Sequence, residues 1–330
     1  MRKPRIGFLG VGWIGRSRME AMLATGLVEA AAIVEPSPEM REGALALAPE
    51  ARVCDSYEDM LALGLDGIVI ATPSALHAAQ SIQALQAGAA VFCQKPLGRD
   101  ATETRAVVDA ARTADRLLSV DLSYRFTDAM QRIAPLVRNG DLGTVQLVDL
   151  TFHNAYGPDK PWFYDKAQSG GGCVVDLGVH LVDLALWTLD WPEVVDVSAS
   201  LYSGGRPLAD DRSVEDLAVA TLTLANGVTV RLACSWRIHA GQDAVIEAAF
   251  YGSQGGAALR NENGSFMDFS ASKFDGTSQT TLSSPPDPWS GGAAADWATR
   301  LAANPGFSSN ADTLVDVAAV LDRIYGSVRR

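Results

Sequence analysis

Residues 173–189 form an apolar stretch of helical period, interrupted by Asp176, Gly178, His180 and Asp183. Asp176 and His180 are four residues apart, so a helix would present them on one face, and Asp183 offers a second carboxylate to orient the imidazole. Gly178 weakens a helix by roughly 1 kcal/mol relative to alanine, which predicts close approach of a ligand or another backbone. Because the ordinary pKa of histidine lies near neutrality, His180 is a candidate acid or base for the proton of an alcohol. A structural histidine in the core is the alternative.

Lys95 is the second candidate for chemistry at an oxygen atom. The chain has only five lysines, and this one follows an apolar run at residues 91–93 and precedes Pro96, which fixes the chain direction. An ammonium group at this place would hydrogen-bond an alcohol oxygen and stabilise negative charge that develops on it. A surface lysine after an edge strand is the alternative.

Three glycines near the amino terminus predict a dinucleotide site. Gly10, Gly12 and Gly15 lie between a short apolar run at residues 5–10 and a segment of helical period at residues 13–24. In such a strand, turn and helix, the first glycine permits the turn, the second lets backbone approach a pyrophosphate, and the third allows close packing. Glycines also mark ordinary turns, so this interpretation depends on the context of the motif.

The residues after the glycines fit the same interpretation. Trp13 and Ile14 begin the predicted helix, whose free N–H groups would face the phosphates. Glu35 ends the next apolar run, twenty residues after Gly15, where a carboxylate is expected to accept hydrogen bonds from ribose hydroxyls. Because a carboxylate repels a 2′-phosphate, Glu35 favours NAD over NADP. Nearby Arg41 argues in the other direction, and an exposed charge at a strand end is the alternative.

Strands alternate with helices through residues 1–122, which predicts a Rossmann domain with a doubly wound parallel sheet. After the first strand, strands are predicted at 30–34, 67–71, 90–93 and 117–121, and helices at 13–24, 74–87 and 101–114. Cofactors bind at the carboxyl ends of such strands. The residues expected to line the nucleotide site there are Thr72, Pro73, Gln94 and Lys95. His77, one turn into the next helix, is expected either to contact the cofactor or to solvate the helix start.

Residues 123–330 predict a second, α+β domain with a large, mostly antiparallel open sheet. Its predicted strands are 145–152, 194–201, 217–224, 228–236 and 244–251. Asn226-Gly227 between two of these strands indicates a hairpin. Helices are predicted at 127–138 and, closing the chain, at about 310–328. This domain would supply the substrate pocket and, through its sheet, a subunit contact.

The composition narrows the classes of protein and of partner. The chain has 330 residues and a formal net charge of −12, with no long basic run, so nucleic acid is not an expected partner. Four cysteines without zinc or disulfide spacing fit a reducing compartment. No uncharged apolar run has the length of a membrane helix. We therefore expect a cytoplasmic protein with no metal and no membrane partner.

In combination these motifs resemble the Gfo/Idh/MocA family of oxidoreductases over nearly the whole chain. The matching residues are the glycine turn, Thr72-Pro73 with His77, Gln94-Lys95-Pro96-Leu97, Tyr124-Arg125-Phe126, Ser169-Gly170-Gly171-Gly172, Asp176, Gly178, His180 and Asp183. The resemblance implies an NAD-dependent enzyme that moves a hydride between nicotinamide and a secondary carbinol of a sugar, inositol or related polyol. It also implies a homodimer or homotetramer that uses no metal. Lys95, Asp176 and His180 take the catalytic positions, Tyr124 a substrate position, and Arg125 and Trp162 cofactor positions.

Two positions depart from the family pattern. The glutamate that usually precedes the lysine is Gln94 here, which removes a charge beside Lys95. Many members carry Trp-Arg where this chain has Trp162-Phe163, so a polar contact near the nicotinamide or the substrate is expected to be missing. Two other functions stay open: an NAD-dependent glycosidase, which regenerates its cofactor, and a non-catalytic dinucleotide-binding sugar sensor.

Overall fold

The computed structural model describes residues 2–208 and 213–327, and the chain divides into two compact units. Unit 1 comprises Met1–Ser123 and Gly291–Val315, and unit 2 comprises Tyr124–Ser290 and Asp316–Arg330. The sequence predicted a boundary after residue 122 and one continuous second domain, whereas the first segment of unit 1 ends at Ser123 and the chain returns to unit 1 with residues 291–315.

Unit 1 is built on a sheet of six parallel strands. In chain order they are β1 (Arg5–Leu9), β2 (Glu29–Val34), β3 (Arg52–Val53), β4 (Gly67–Ile70), β5 (Ala90–Cys93) and β6 (Leu118–Val120). Their order across the sheet is β3-β2-β1-β4-β5-β6, so the direction of winding reverses between β1 and β4. This is the predicted doubly wound sheet. Ligands bind such sheets at the carboxyl ends of the strands, where the winding reverses.

Helices connect these strands, and β4 and β5 are buried along their whole length, as strands covered on both faces are. The helices are α1 (Trp13–Ala24), α2 (Pro38–Leu47), α3 (Tyr57–Leu61), α4 (Ser74–Gln86) and α5 (Ala101–Ala114). The sequence predicted α1, α4 and α5 but missed α2 and α3, which are short. Both have a serine cap: Ser37 Oγ accepts from Met40 N at 3.4 Å, and Ser56 Oγ accepts from Asp59 N at 3.1 Å.

Unit 2 contains a nine-stranded sheet in which, among the described residues, only the β7–β11 pair is parallel. The strands are β7 (Val145–Asn154), β8 (Val194–Ser203), β9 (Arg206–Pro207), β10 (Leu217–Leu224), β11 (Thr229–Ser235), β12 (Ala244–Gly252), β13 (Gly256–Asn261), β14 (Phe269–Asp275) and β15 (Ser278–Ser283). The order is β15-β14-β13-β12-β7-β11-β10-β8-β9. The mostly antiparallel sheet and the hairpin at Asn226-Gly227 are confirmed, with Gly227 at φ +86°. Strands β13–β15 were not predicted.

Two helices of unit 2 pack on one face of this sheet, α6 (Asp128–Arg138) on β13–β15 and α8 (Val179–Thr188) on β7 and β11. A short helix, α7 (Lys166–Ser169), comes before a π-helical segment, Val174–Gly178, which leads directly into α8. By length and composition, Lys166–Thr188 is apolar enough to cross a membrane, but 89% of its apolar window is buried inside the protein. Among the described residues, this segment is therefore part of the core of unit 2.

The carboxyl-terminal part contributes two further helices. α9 (Gly292–Ala303) packs on α1 and on β5, where the Trp297 ring lies 5.8 Å from the Phe92 ring. A Cβ atom on Gly67 would lie 2.7 Å from the Trp297 ring, so glycine is needed beneath this tryptophan. This contact explains why residues 291–315 belong to unit 1. α10 (Thr313–Ser327) confirms the predicted final helix, whose predicted last residue, Val328, lies outside the described residues.

Candidate functional site

The glycine turn in unit 1 leaves room for a phosphate group. A Cβ on Gly10, at φ +83°, would lie 2.6 Å from the Ala71 carbonyl oxygen, and a Cβ on Gly15 would lie 2.2 Å from the Gly10 oxygen. The protein's own backbone therefore requires both glycines. A Cβ on Gly12 would meet nothing within 4 Å, and no side chain caps α1. A dinucleotide pyrophosphate needs both open space and free N–H groups at the start of a helix, and this turn offers both.

Glu35 lies at the carboxyl end of β2, beside this turn. Its Oε2 atom accepts from Val11 N at 2.8 Å, and its Oε1 atom accepts from Ser37 N at 2.9 Å. The two bonds fix the carboxylate next to the glycine turn. A carboxylate offers about four acceptor positions, so Glu35 retains capacity for ribose hydroxyls.

Gln94 joins a buried network at the ends of β5 and β6. Its Nε2 atom donates to Asp121 Oδ2 at 2.6 Å, and Arg18 Nε donates to the same oxygen at 2.5 Å. Ser123 Oγ donates to Asp121 Oδ1 at 2.6 Å, and Asp121 is 1% exposed. A glutamate at position 94 would set a second carboxylate against Asp121, whereas an amide donates to it. Gln94, which replaces the family's glutamate, is therefore compatible with the carboxylate of Asp121.

His77 has neither of the two roles predicted for it. It is 1% exposed, its Nδ1 atom lies 2.7 Å from the Pro96 carbonyl oxygen, and its Nε2 atom lies 2.7 Å from the Thr72 carbonyl oxygen. Both ring nitrogens are engaged by backbone, so the imidazole contacts neither a cofactor nor solvent. Burial lowers the pKa of His77, and the nearby Lys95 charge acts in the same direction, while the two carbonyl groups raise it.

The other predicted residues of unit 1 lie at the same edge of its sheet. Thr72 follows β4, and its Oγ1 atom donates to Gln80 Oε1 at 2.6 Å. Pro73 is exposed just before α4, and the half-buried Lys95 follows β5 and precedes a cis peptide bond to Pro96. Trp13 begins α1 with 70% of its surface exposed. Unit 1 thus gathers the predicted nucleotide residues around the ends of β1, β2, β4 and β5.

In unit 2, the segment that carries Asp176 is not the regular α-helix that the spacing predicted. Val179 N donates to the Val174 carbonyl, five residues back, which is the π-helical pattern. Asp176 lies inside this π-helical turn, four residues before His180. Its Oδ2 atom accepts from Trp236 Nε1 at 2.8 Å, and Trp236 is fully buried on the chain after β11. A π-helical turn inside a helix often marks a functional site.

His180 is buried among aromatic rings on α8. Its ring centroid lies 4.9 Å from that of Tyr124 and 6.3 Å from that of Phe152. Tyr124, which was predicted at the substrate, also packs on Trp289 at 4.9 Å and on Phe152 at 5.5 Å. The rings fix the plane of the imidazole by packing.

Asp183 does not orient His180, contrary to the prediction. Both of its carboxylate oxygens accept from Arg125, with Nε to Oδ2 at 2.7 Å and a second, shorter contact from Nη2 to Oδ1. Burial raises the pKa of Asp183, and Arg125 opposes that effect. The Arg125 guanidinium also lies 5.2 Å from the Trp191 ring. The pair holds Tyr124-Arg125 against α8, and the cofactor contact predicted for Arg125 stays a prediction.

Glu215 is a buried carboxylate whose structural role the sequence did not reveal. It is 1% exposed, and its carboxylate accepts from Gly172 N at 3.0 Å, Val174 N at 2.9 Å and Tyr325 Oη at 2.8 Å. Burial raises the pKa of Glu215, against the lowering effect of these donors. The carboxylate therefore holds the start of the π-helical segment. In one sequence, nothing distinguishes Glu215 from a solvated acid.

The close approach expected at Gly178 occurs instead in the preceding glycine run. A Cβ on Gly172 would lie 1.9 Å from the Glu215 carbonyl oxygen, and one on Gly171 would lie 2.0 Å from Tyr325 Oη. A Cβ on Gly178 would lie 3.5 Å from Cys234 Sγ, an ordinary contact. The atoms nearest to such a Cβ belong to side chains rather than to another backbone, so the glycines that protein packing requires are Gly171 and Gly172, and approach of a ligand to Gly178 stays a prediction.

Phe163 replaces the family's arginine with an aromatic contact. The Trp162 and Phe163 rings are stacked, with centroids 3.8 Å apart, and the Phe163 and Trp236 rings are nearly perpendicular, with centroids 6.3 Å apart. Trp236 in turn holds Asp176. The aromatic cluster formed by Trp162, Phe163 and Trp236 thus contacts Asp176 through Trp236, and Phe163 contributes no charged group to it.

The sheet order and the glycine turn define unit 1 as a dinucleotide-binding α/β domain. Residues 4–122 match the oxidoreductase family described by its NAD-binding Rossmann fold, and residues 130–258 match the GFO/IDH/MocA C-terminal domain. The chain belongs to the Gfo/Idh/MocA family of oxidoreductases, and its amino-terminal domain is an NAD-binding Rossmann domain.

Individual relatives are distant in sequence. D-glucoside 3-dehydrogenase of Escherichia coli (strain K12) is 28% identical over 216 residues, and the match spans 62% of this chain and 62% of that protein. Inositol 2-dehydrogenase of Rhizobium meliloti (strain 1021) is 27% identical over 259 residues, 78% of this chain and 76% of that protein. The structure of levoglucosan dehydrogenase in complex with NADH and levoglucosan has a TM-score of 0.84 at 22% identity, covering 99% of this chain and 98% of that one. This last likeness shows the fold.

Proposed function

We propose that this protein transfers a hydride between NAD and a secondary carbinol of a sugar, inositol or related polyol. The observation that carries the proposal is the arrangement at the start of α8. There Asp176 is fixed by Trp236, and His180 is packed by Tyr124, in a chain that retains the family's lysine. Two curated relatives are named as dehydrogenases of a glucoside and of inositol, which supports this substrate class.

Bound NAD supplies the hydride acceptor, and the chain's residues act on the alcohol. We propose that His180 accepts the hydroxyl proton as the carbon–oxygen bond becomes a carbonyl, and passes it to solvent. Lys95 donates a hydrogen bond to the same oxygen, and Asp176 accepts one from the substrate. The alcohol loses one hydride and one proton, so the products are a ketone, NADH and a proton.

We further propose a preference for NAD over NADP, resting on Glu35. Its carboxylate stands beside the glycine turn and is held there by Val11 N and Ser37 N. A 2′-phosphate brought to the same place would meet a fixed negative charge, which disfavours NADP.

A panel of inositols, aldoses and glycosides, assayed with NAD and with NADP for the absorbance of the reduced nicotinamide, tests the function. We expect turnover of at least one polyol and a clear preference for NAD. A robust preference for NADP would remove Glu35 from its role. Release of free sugar without net NADH would indicate the glycosidase instead, and dinucleotide binding without any turnover would indicate the sensor.

We propose that two or four copies associate through the face of the nine-stranded sheet that the helices of unit 2 leave open. Val219 on β10 and Tyr251 on β12 lie on that face and are exposed. Exposed apolar side chains on a sheet fit contact with a second copy. A monomer in light scattering at micromolar concentration would contradict this. The cytoplasmic location also stays a proposal, which cell fractionation tests.

A further inference from the structure

The imidazole of His77 spans two chain segments at the nucleotide edge of unit 1. The ring extends from the second turn of α4, with its Nδ1 atom 2.7 Å from the Pro96 oxygen and its Nε2 atom 2.7 Å from the Thr72 oxygen. Thr72 belongs to the segment after β4, and Pro96 belongs to the segment after β5. One buried side chain therefore contacts the backbone of both segments.

Lys95 lies between two anchored neighbours. On one side, Gln94 N donates to the Ile70 carbonyl at 2.9 Å, and the Gln94 amide donates to Asp121 at 2.6 Å. On the other side, the Pro96 carbonyl faces His77. The backbone from which the Lys95 side chain departs is thus held from β4 and β6 on one side and from α4 on the other.

The two contacts of His77 require ring protons. Both partners are carbonyl oxygens, which only accept, and a neutral imidazole carries one N–H group while an imidazolium carries two. Burial lowers the pKa of His77 and favours the neutral ring, which donates to one of the two carbonyl groups at a time, whereas a phenyl ring of the same size would donate to neither. The polar ring nitrogens of His77 and the distance between them therefore matter more than the volume of the ring.

We infer that His77 is a positioning residue that ties the Lys95 segment to the Thr72 segment and so fixes where the Lys95 ammonium stands. This inference rests on the proposed function, in which Lys95 acts on the alcohol oxygen. His77 acts through its neighbours and does not touch substrate or cofactor.

Two single substitutions separate the two contacts. The amide nitrogen of asparagine lies close to the position of histidine Nδ1, and that of glutamine lies close to the position of Nε2. H77N therefore keeps a nitrogen donor at the Pro96 contact and has none at the Thr72 contact, and H77Q does the reverse. Core volume falls in both variants, so a role in filling space predicts similar effects.

H77Q is expected to lower kcat for the polyol between about 10- and 100-fold, because small displacements of a reacting group cost that much. H77N is expected to keep kcat within about threefold of the natural chain and to weaken dinucleotide binding instead, through the Thr72 segment. Equal losses of kcat in the two variants, or no loss in H77Q, would overturn the inference.

Hydrogen exchange provides a readout that does not depend on turnover. Amides of residues 97–99 should exchange faster in H77Q than in H77N, and amides of residues 74–76 faster in H77N than in H77Q. This pattern in a chain that turns over no polyol would support the tie and reject the proposed function. Turnover with no such pattern would reject the tie alone.

The natural chain gives a further test should a variant fail to fold. It contains four histidines, so the ring signals of protein labelled with ¹⁵N-histidine can be assigned. A His77 ring N–H is expected to exchange with solvent much more slowly than that of the exposed His239. Equal exchange of the two rings would contradict the bonds to Pro96 and Thr72.

Discussion

Replacing His180 by alanine is expected to lower kcat for polyol oxidation by about 10³-fold while leaving NADH affinity within about twofold. The first effect follows because a positioned acid or base contributes roughly 10²- to 10⁴-fold to proton transfer. The second follows because the glycine turn and Glu35, which fit the dinucleotide, belong to unit 1, whereas His180 belongs to unit 2. Steady-state kinetics and fluorescence titration with NADH measure the two quantities.

His239, exposed on the chain after β11, gives the matched control. H239A removes the same type of side chain at an exposed position that is not among the rings of Tyr124 and Phe152 around His180. It should change neither kcat nor NADH affinity. Added imidazole should restore part of the activity of H180A, since the cavity left by the ring accepts a free base. A loss of turnover and dinucleotide binding together, with a lower melting temperature, would make His180 a structural residue of the core.

Local sequence patterns predicted the type of sheet in each unit, although they missed helices α2, α3 and α9 and strands β13–β15. In unit 1, the apolar run Ala90–Cys93 indicated a buried strand and the helical period of Ala101–Ala114 indicated a helix. The glycine turn supported the interpretation of this alternation as a Rossmann domain. In unit 2, the alternation along Leu217–Leu224 and the Asn226-Gly227 turn did the same. These features depend on neighbours in sequence, which a single chain displays.

The partners of the charged site residues could not be predicted, because they are set by contacts between distant segments. Asp183 pairs with Arg125, 58 residues away, and Gln94 pairs with Asp121, 27 residues away. The helix of residues 173–189 looked regular because the π-helical turn at Val174–Gly178 leaves the apolar composition unchanged. The sequence indicated which polar residues to examine, whereas their hydrogen-bond partners could be identified only from the tertiary structure.

Replacing Gly172 by alanine is expected to lower the free energy of unfolding by about 3 kcal/mol and to remove most of the turnover. The new Cβ would lie 1.9 Å from the Glu215 carbonyl oxygen and 2.8 Å from the Glu215 nitrogen, so backbone must shift. Such overpacking typically costs 1–3 kcal/mol, and the displaced carboxylate also loses donors at Gly172 N and Val174 N. Chemical denaturation measures the stability, and the polyol assay measures the turnover.

Gly178 provides the opposite change six residues further along the same segment. Its backbone is helical, at φ −60° and ψ −30°, and an added Cβ would lie 3.5 Å from Cys234 Sγ, which is an ordinary contact. G178A is therefore expected to raise the free energy of unfolding by up to about 1 kcal/mol, because alanine loses less backbone entropy in a helix. If both substitutions destabilise the protein equally, the segment tolerates no added methyl group anywhere. The contact of Gly172 with Glu215 would then not explain why Gly172 must be glycine. If G172A is as stable as the natural chain, the contact between Gly172 and Glu215 does not hold the start of the π-helical segment.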